Sequence, residues 1–375
     1  AENPRAVEAE HGLQSFSRRD HAESASQTKT VSAVVLGGGG LWHDHTFQQS
    51  GGLLGLFQGA PISIAGLSVL PLLGSMRGVP FFVTGLGVGP LESKDARGLV
   101  RFMAERASEI VVRDRESKAL LDAVLGGRGQ AAYAPDVVYA LDLAERVPLG
   151  DVAELASGGR SLVGISVRKW TKEGGAEALI RIAAALDRIA QERPIAVVGV
   201  PMQLGPTHDV AAIEAVFAAM SEDCPRLCLP QRATAAQVLW TLDRCDALLG
   251  MRLHACLLAH RLGTPAVGVA YDGKVANHFA QIGRSAFCHP LAAPAEAVAE
   301  SVLRDHSIHG IPVTALHEAY PGHHLQFAWA NRAATEPRRV FWTSVFAEGW
   351  ALYCEELMFE QGFYRDPRVR LLQLK

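Results

Sequence analysis

Between residues 31 and 145, short apolar runs alternate with stretches whose apolar positions recur at helical spacing. "VSAVVLGGGG", "VPFFVTGLGVGP" and "EIVVRD" are runs of strand length, and "SKDARGLVRFMAERA" carries its apolar residues on one helical face. A further strand is expected in "APDVVYALDL", and "ERVPLGDVAELASGG" reads as a linker. The alternation then resumes. "SLVGISVR", "PIAVVGVP", "DALLGM" and "PAVGVAY" predict strands. The helices between them include "AEALIRIAAALDRIAQERP", with Leu179, Ile182, Ala183, Leu186 and Ile189 on one face. Strand runs alternating with helices predict parallel sheets with crossover helices.

After about residue 305 the pattern changes. "VTALHEAYPGHHLQFAWANRAA" and "FWTSVFAEGWALYCEELMFEQGF" are helical, aromatic and rich in histidine, and no strand alternation continues. The expected organisation is an α/β half over 1–150, a second over 151–305 and a helical segment over 306–375. Two successive doubly wound, Rossmann-like units predict a GT-B-like architecture with a ligand cleft between the halves, followed by a short all-α C-terminal fragment.

Composition narrows this picture. The chain has 375 residues, is 49% hydrophobic and 20% charged, and carries a net charge of −3, so no global basic field points to nucleic acid. Residues 51–74 form the most apolar stretch, but Pro61 and Pro71 interrupt it, and it reads as buried interior rather than a membrane span. The six cysteines are scattered and form no disulfide framework, which suits reduced thiols and a cytoplasmic protein.

The candidate chemistry of the α/β part lies at strand ends. Gly38 and Gly39 follow the first apolar run and Gly87 sits in "GLGVGP"; each could bring backbone N–H groups close to a ligand, or simply make a tight strand-exit turn. Arg252 and His254 in "LLGMRLHACLLAH" stand where a strand gives way to a helix N-terminus, a location that favours anions. Arg113 in "IVVRDRES" and Arg168 in "GISVRKW" end strands in the same way, with a surface ion pair as the plainer reading of each.

"VVLGGGGLWHD", "VTGLGVGPL", "IVVRDRES", "APDVVYAL", "GISVR" and "CDALLGMRLHACLLAHRLGTPAVGVAYDGKV" together resemble, in order, the polysaccharide pyruvyl transferase family over about residues 1–300. The resemblance implies transfer of pyruvate from phosphoenolpyruvate to a free or lipid-linked saccharide as a ketal, without a cofactor. It implies that Arg252 and His254 bind and activate the donor, and that Arg113 and Arg168 lie in family motifs. It also implies that a first strand and helix expected of the family are missing ahead of this chain's start.

"HEAYPGHH" looks like a zinc-binding H-E-x-x-H helix with Pro321 and Gly322 inserted. On a straight helix its histidines could not share one ion, but a bulge at Pro321–Gly322 would bring His323 to the second ligand position. Glu348, on the next helix, is a candidate third ligand, and Glu318 a candidate general base. With its flanks, roughly residues 305–375 resemble an uncharacterised bacterial metallopeptidase-like family bearing H-E-x-x-P-G-H. The resemblance implies zinc on His317, His323 and Glu348, and a junction near residue 305 between pieces of two proteins. Two helices offer few partners to hold the ligands from behind, so weak zinc retention is expected. A zinc hydrolase and a non-catalytic chimera are the alternatives to the transferase.

Overall fold

The computed structural model describes the chain except for residues 1–4, 6, 9–11, 18–19, 45–51, 55–63, 128–130, 158, 171–173, 204–208, 231–232, 305–309, 336–342, 366–368, 371–372 and 375. The expected junction near residue 305 lies outside the described residues. The chain divides into two units, Ala1–Asp142 and Leu143–Lys375.

The first unit holds α1 (His21–Gln27), β1 (Val34–Trp42), α2 (Ile64–Ser75), β2 (Phe81–Val88), α3 (Lys94–Ala104), β3 (Glu109–Val112), α4 (Arg115–Val124) and β4 (Ala131–Tyr133). Its four strands are parallel and lie in the order β1-β2-β3-β4. Three sequence expectations change here. The glycine run does not end the first strand: β1 continues through Gly37–Gly40 to the fully buried Trp42, with Gly38 and Gly39 at positive φ inside the strand. "APDVVYALDL" is not a strand. Asp136 accepts a hydrogen bond from the Val138 N–H and starts a single tight turn over Val137–Ala140. The expected linker contains a helix, α5 (Gly150–Ser157), which opens the second unit.

The second unit continues with β5 (Ser161–Ser166), α6 (Gly175–Glu192), β6 (Ile195–Gly199), α7 (Asp209–Ala219), β7 (Arg226–Cys228), α8 (Ala235–Arg244), β8 (Ala247–Gly250), α9 (Leu253–Leu262), β9 (Ala266–Ala270), α10 (Gly273–Gln281), β10 (Cys288–Pro290) and α11 (Ala295–Arg304). All its strand pairs are parallel, in the order β10-β9-β8-β5-β6-β7. Every residue of β6 and β8 is buried, as expected of strands covered by helices on both faces. Val163, Ile165, Val197 and Leu249 pack with Ile182, Leu186 and Ile189 of α6 and Ile213 of α7. The helical periodicity read for α6 is therefore its core face.

Among the described residues the helices α12 (Gly310–Glu318), α13 (His323–Ala330) and α14 (Ser344–Glu360) follow. They carry their own small apolar cluster, in which Leu316, Tyr364 and Val369 are buried among Val313, Met358 and Phe359. Among the described residues, no helix is long and apolar enough to cross a membrane.

Candidate functional site

The sheet order of the second unit decides where a ligand would sit. Winding runs one way from β5 through β6 to β7 and the other way from β8 through β9 to β10, so β5 and β8 flank the switch point. Sheets of this kind bind ligands in the crevice outside the carboxyl ends of the strands at that point. β5 and β8 pair with Ser166 opposite Gly250, and Arg168 and Arg252 each follow two residues later. His254 lies half-buried in the first turn of α9. On the other side of β8, Gly250 is opposite Gly268 of β9, whose chain goes on to Tyr271 and then to Lys274 in the first turn of α10.

The arginines at these ends differ in what holds them. Arg252 donates from Nε to Asp209 Oδ2 at 2.9 Å, and from Nη2 to Asp209 Oδ1 and to Gln203 Oε1, the last at 2.7 Å. Asp209 is fully buried and also accepts from the N–H groups of Met202 and Gln203, at 3.0 and 2.9 Å. Two nitrogens of the Arg252 fork are thus engaged inside the protein. Arg168 has a different setting. Its Nη1 donates to the Tyr271 hydroxyl at 3.2 Å, and its guanidinium lies 5.0 Å from the Tyr271 ring centre and 5.6 Å from that of Trp170. Its Nε is buried with no hydrogen-bond partner among the described residues.

In the first unit, Arg113 is enclosed at 5% exposure. It pairs with Asp136 at 3.1 Å, and its Nε lies 3.8 Å from Asp114. A Cβ on Gly87 would come within 2.8 Å of its Nη2, and one on Gly40 within 3.4 Å. Gly87 thus makes room for a buried arginine. Gly38 has open space beside it and a Cβ on Gly39 would only touch Leu41 Cδ2 at 3.8 Å, so it is their positive φ that favours glycine.

A second constellation lies in the C-terminal helices. Pro321 and Gly322 break the helical run between α12 and α13, and the break folds the histidines together. Ligand atoms of His317, His323 and Glu348 all lie within 4.8 Å of one another. His317 Nε2 is 3.3 Å from one Glu348 oxygen, and His323 Nε2 is 3.7 Å from the other. Gly322 is required at the break, because a Cβ there would sit 1.9 Å from the His317 carbonyl oxygen. The Pro321 carbonyl accepts from the Trp350 indole N–H at 3.0 Å, which ties the break to α14. Glu318 ends α12 and is exposed.

A tetrahedral zinc with bonds of about 2.1 Å sets its ligand atoms about 3.4 Å apart. The two histidine nitrogens and the carboxylate fit that spacing with small side-chain adjustments, and two histidines with one glutamate are a zinc-type donor set. One partner was not anticipated from the sequence. The buried Glu355 lies 2.6 Å from His317 Nδ1, so it orients the ring and leaves Nε2 facing Glu348. Its signal was available, since Glu348 and Glu355 are seven residues apart and share one helix face. Trp170, Tyr271 and Lys274 were also missed, because only the sheet order brings β5 and β9 to either side of β8.

Solved structures share this architecture. A putative UDP-N-acetylglucosamine 2-epimerase from Listeria monocytogenes is 12% identical, with a TM-score of 0.52 over 95% of this chain and 83% of that one. The MnaA–UDP co-structure from S. aureus is 11% identical, with a TM-score of 0.51 over 77% of this chain and 73% of that one. At such identities the likeness speaks for the fold: the chain is a GT-B-like protein of two Rossmann-like units with a short helical C-terminal part. It belongs to the family described as "Bacterial protein of unknown function (DUF885)", whose model matches residues 171–375. No curated protein matches the chain.

That membership corrects the two resemblances drawn from the sequence. One family spans residues 171–375, running through most of the second α/β unit and the helices after it. It is neither the polysaccharide pyruvyl transferase family expected over 1–300 nor an H-E-x-x-P-G-H metallopeptidase family beginning near 305. The glycine turns and strand-end arginines that carried the first resemblance are features many parallel α/β sheets share, because strand exits need tight turns and their ends attract anions.

Proposed function

We propose that the chain is a sugar-modifying transferase whose second α/β unit binds an anionic donor at the switch point of its sheet. The observation that carries this reading is the set of basic side chains at neighbouring strand ends: Arg168 after β5, and Arg252 and His254 after β8. The fold supports it, since the Listeria structure is described as a putative sugar-nucleotide epimerase and the S. aureus structure holds UDP. In this arrangement Arg168 meets the donor's charge, Asp209 holds Arg252 in place, and His254 carries a proton.

Within that class, the specific reaction we propose is pyruvyl transfer. Phosphoenolpyruvate presents a carboxylate and a phosphate, which call for cationic contacts. The two hydroxyls of a saccharide diol would bond to its C2 as the C2–O bond to phosphate breaks. One hydroxyl proton ends on the methylene carbon and the other on the departing phosphate. The chemistry needs a proton carrier and no covalent nucleophile. The test is phosphate release from phosphoenolpyruvate with and without a saccharide diol. The reading expects release that requires the diol and falls about a hundredfold or more in His254→Ala. Equal activity in wild type and His254→Ala, or no release with any diol, would overturn pyruvyl transfer.

A separate observation favours a second reading for the helical part. His317, His323 and Glu348 converge to within 4.8 Å, with Glu355 behind His317. We read this as a zinc site, whose bound ion would supply Lewis acidity and an activated water for hydrolysis. The protein's share is to orient His317 Nε2 toward Glu348 and to hold the Glu348 carboxylate between two imidazoles. Buried Glu355 supplies the backing whose expected lack suggested weak zinc retention, so dialysis against zinc followed by metal analysis should return one ion per chain in wild type and none in His317→Ala. A zinc-free wild type would sink this reading.

A further inference from the structure

Trp170, Tyr271 and Lys274 take no part in the reading so far, yet they enclose its least satisfied cation. Tyr271 leaves the end of β9 and stands 4.8 Å from Trp170, ring centre to ring centre, at 55°. Its hydroxyl accepts from Arg168 Nη1, its ring lies 5.0 Å from the Arg168 guanidinium, and Lys274 Nζ lies 5.1 Å from the same ring centre. One aromatic ring therefore gathers two cations from different strand ends. The main chain at Trp170 lies against Gly175, where a Cβ would sit 2.0 Å from the Trp170 carbonyl oxygen.

The charges near this ring are unequal. Arg252 is matched by the buried Asp209. Lys274 shares Asp272 at 3.3 Å, but the other oxygen of that carboxylate accepts from the Lys274 N–H and caps α10. No carboxylate pairs with Arg168 among the described residues, and its Nε is a buried donor without a partner. A buried donor left unmade costs more than a typical hydrogen bond returns. An anion in reach of Nε would remove that cost. Cations held on an aromatic face keep their positive charge directed outward, and a guanidinium fork matches phosphate geometry.

We infer that Arg168 and Lys274, gathered by Tyr271 and backed by Trp170, form a phosphate-binding subsite. Its ligand is a phosphate or diphosphate group carried by a sugar or another ring, with the aromatic pair beside the ring. Tyr271 is a positioning residue: its hydroxyl fixes the Arg168 fork, and its ring also holds Lys274. The inference rests on the transferase reading only for the role of the phosphate. The subsite would bind its anion whatever reaction follows.

Titration calorimetry with inorganic pyrophosphate and with a sugar 1-phosphate tests this on the full chain. Wild type should bind both, more weakly at high salt. Arg168→Ala should weaken binding at least about tenfold, and Lys274→Ala by a smaller factor. Tyr271→Phe keeps the ring and removes only the hydroxyl, so it should lower affinity a few-fold while melting with wild type. Arg188→Ala, in an exposed pair with Glu192 on α6, should bind as wild type does. If the sugar phosphate binds no more tightly than pyrophosphate, the stacking role of Trp170 and Tyr271 is overturned. If wild type binds neither anion, or Arg168→Ala binds as well as wild type, the subsite is overturned. Arg168-dependent binding without diol-dependent phosphate release would retire pyruvyl transfer and leave the subsite standing. Diol-dependent phosphate release with no Arg168-dependent anion binding would retire the subsite and leave the transferase reading resting on Arg252 and His254.

Discussion

Asp209 shows how much one buried carboxylate organises. It is fully buried and accepts from two main-chain N–H groups and from the Arg252 fork. Removing one partner of a buried ion pair leaves the other charge unmatched, which costs about 3–5 kcal/mol. Asp209→Ala should therefore destabilise the chain by about that amount in urea unfolding, with Asp209→Asn milder because the amide still accepts hydrogen bonds. A variant as stable as wild type would mean that Arg252 finds another partner. Gly322 is the equivalent position in the helical part. A methyl there meets the His317 carbonyl at 1.9 Å, so the break must open. Gly322→Ala should abolish zinc retention as completely as His317→Ala while leaving all three ligand side chains present.

At the scale of elements, β10 and α11 carry a pH dependence. His289 of β10 lies 2.8 Å, through Nε2, from the Ser301 hydroxyl on α11. Burial holds its pKa below the ordinary value of 6.5, because the charged form is the one that loses solvation. Between the depressed folded value and 6.5 the unfolded chain binds more protons than the folded one. Stability is therefore full above that window and declines as pH falls through it. His289→Gln keeps a polar group beside Ser301 and does not titrate. Its melting temperature should fall less than wild type between about pH 7.5 and about pH 5. Parallel curves for the two proteins would remove His289 as a cause. The elements were unequally legible in the sequence. α6 could be read from its periodicity, since Ile182, Leu186 and Ile189 face the core as their spacing requires. The glycine run misled because glycine at positive φ usually ends a strand, while here the pairing of Gly39 with Leu86 and Gly40 with Gly87 continues past it.

At the scale of the whole molecule, the thiols and the C-terminal helices give the tests. All six cysteines are free. Burial pushes the Cys228 and Cys288 thiols up to about 11 and raises Cys245 and Cys256 as well. Near pH 8 the native chain should react slowly with a thiol-specific disulfide reagent, and all six sites should react once it is denatured. Fast labelling of the native chain would mean that its second unit opens readily. The helices of 306–375 bury Leu316, Tyr364 and Val369 among themselves, while the core of the preceding sheet is built from residues 163 to 303. Deleting 306–375 should leave the main melting transition nearly unchanged. A large drop would mean that the helices and the sheet stabilise one another.

The sequence by itself determined most of the strands and helices and the α/β class of the fold, because apolar periodicity is local and survives without contacts. It also marked Arg168, Arg252, His254, His317, His323 and Glu348, since charged and imidazole side chains at strand ends and helix breaks stand out from an apolar background. Only the tertiary structure decided which of them meet. Sheet order set β9 and β5 on either side of β8, so Tyr271 reaches Arg168 across 103 residues. Folding also paired Arg252 with Asp209 and Arg113 with Asp136, and set Glu355 behind His317. Those partners depend on how strands are ordered and helices packed, a long-range outcome that periodicity along the chain does not encode.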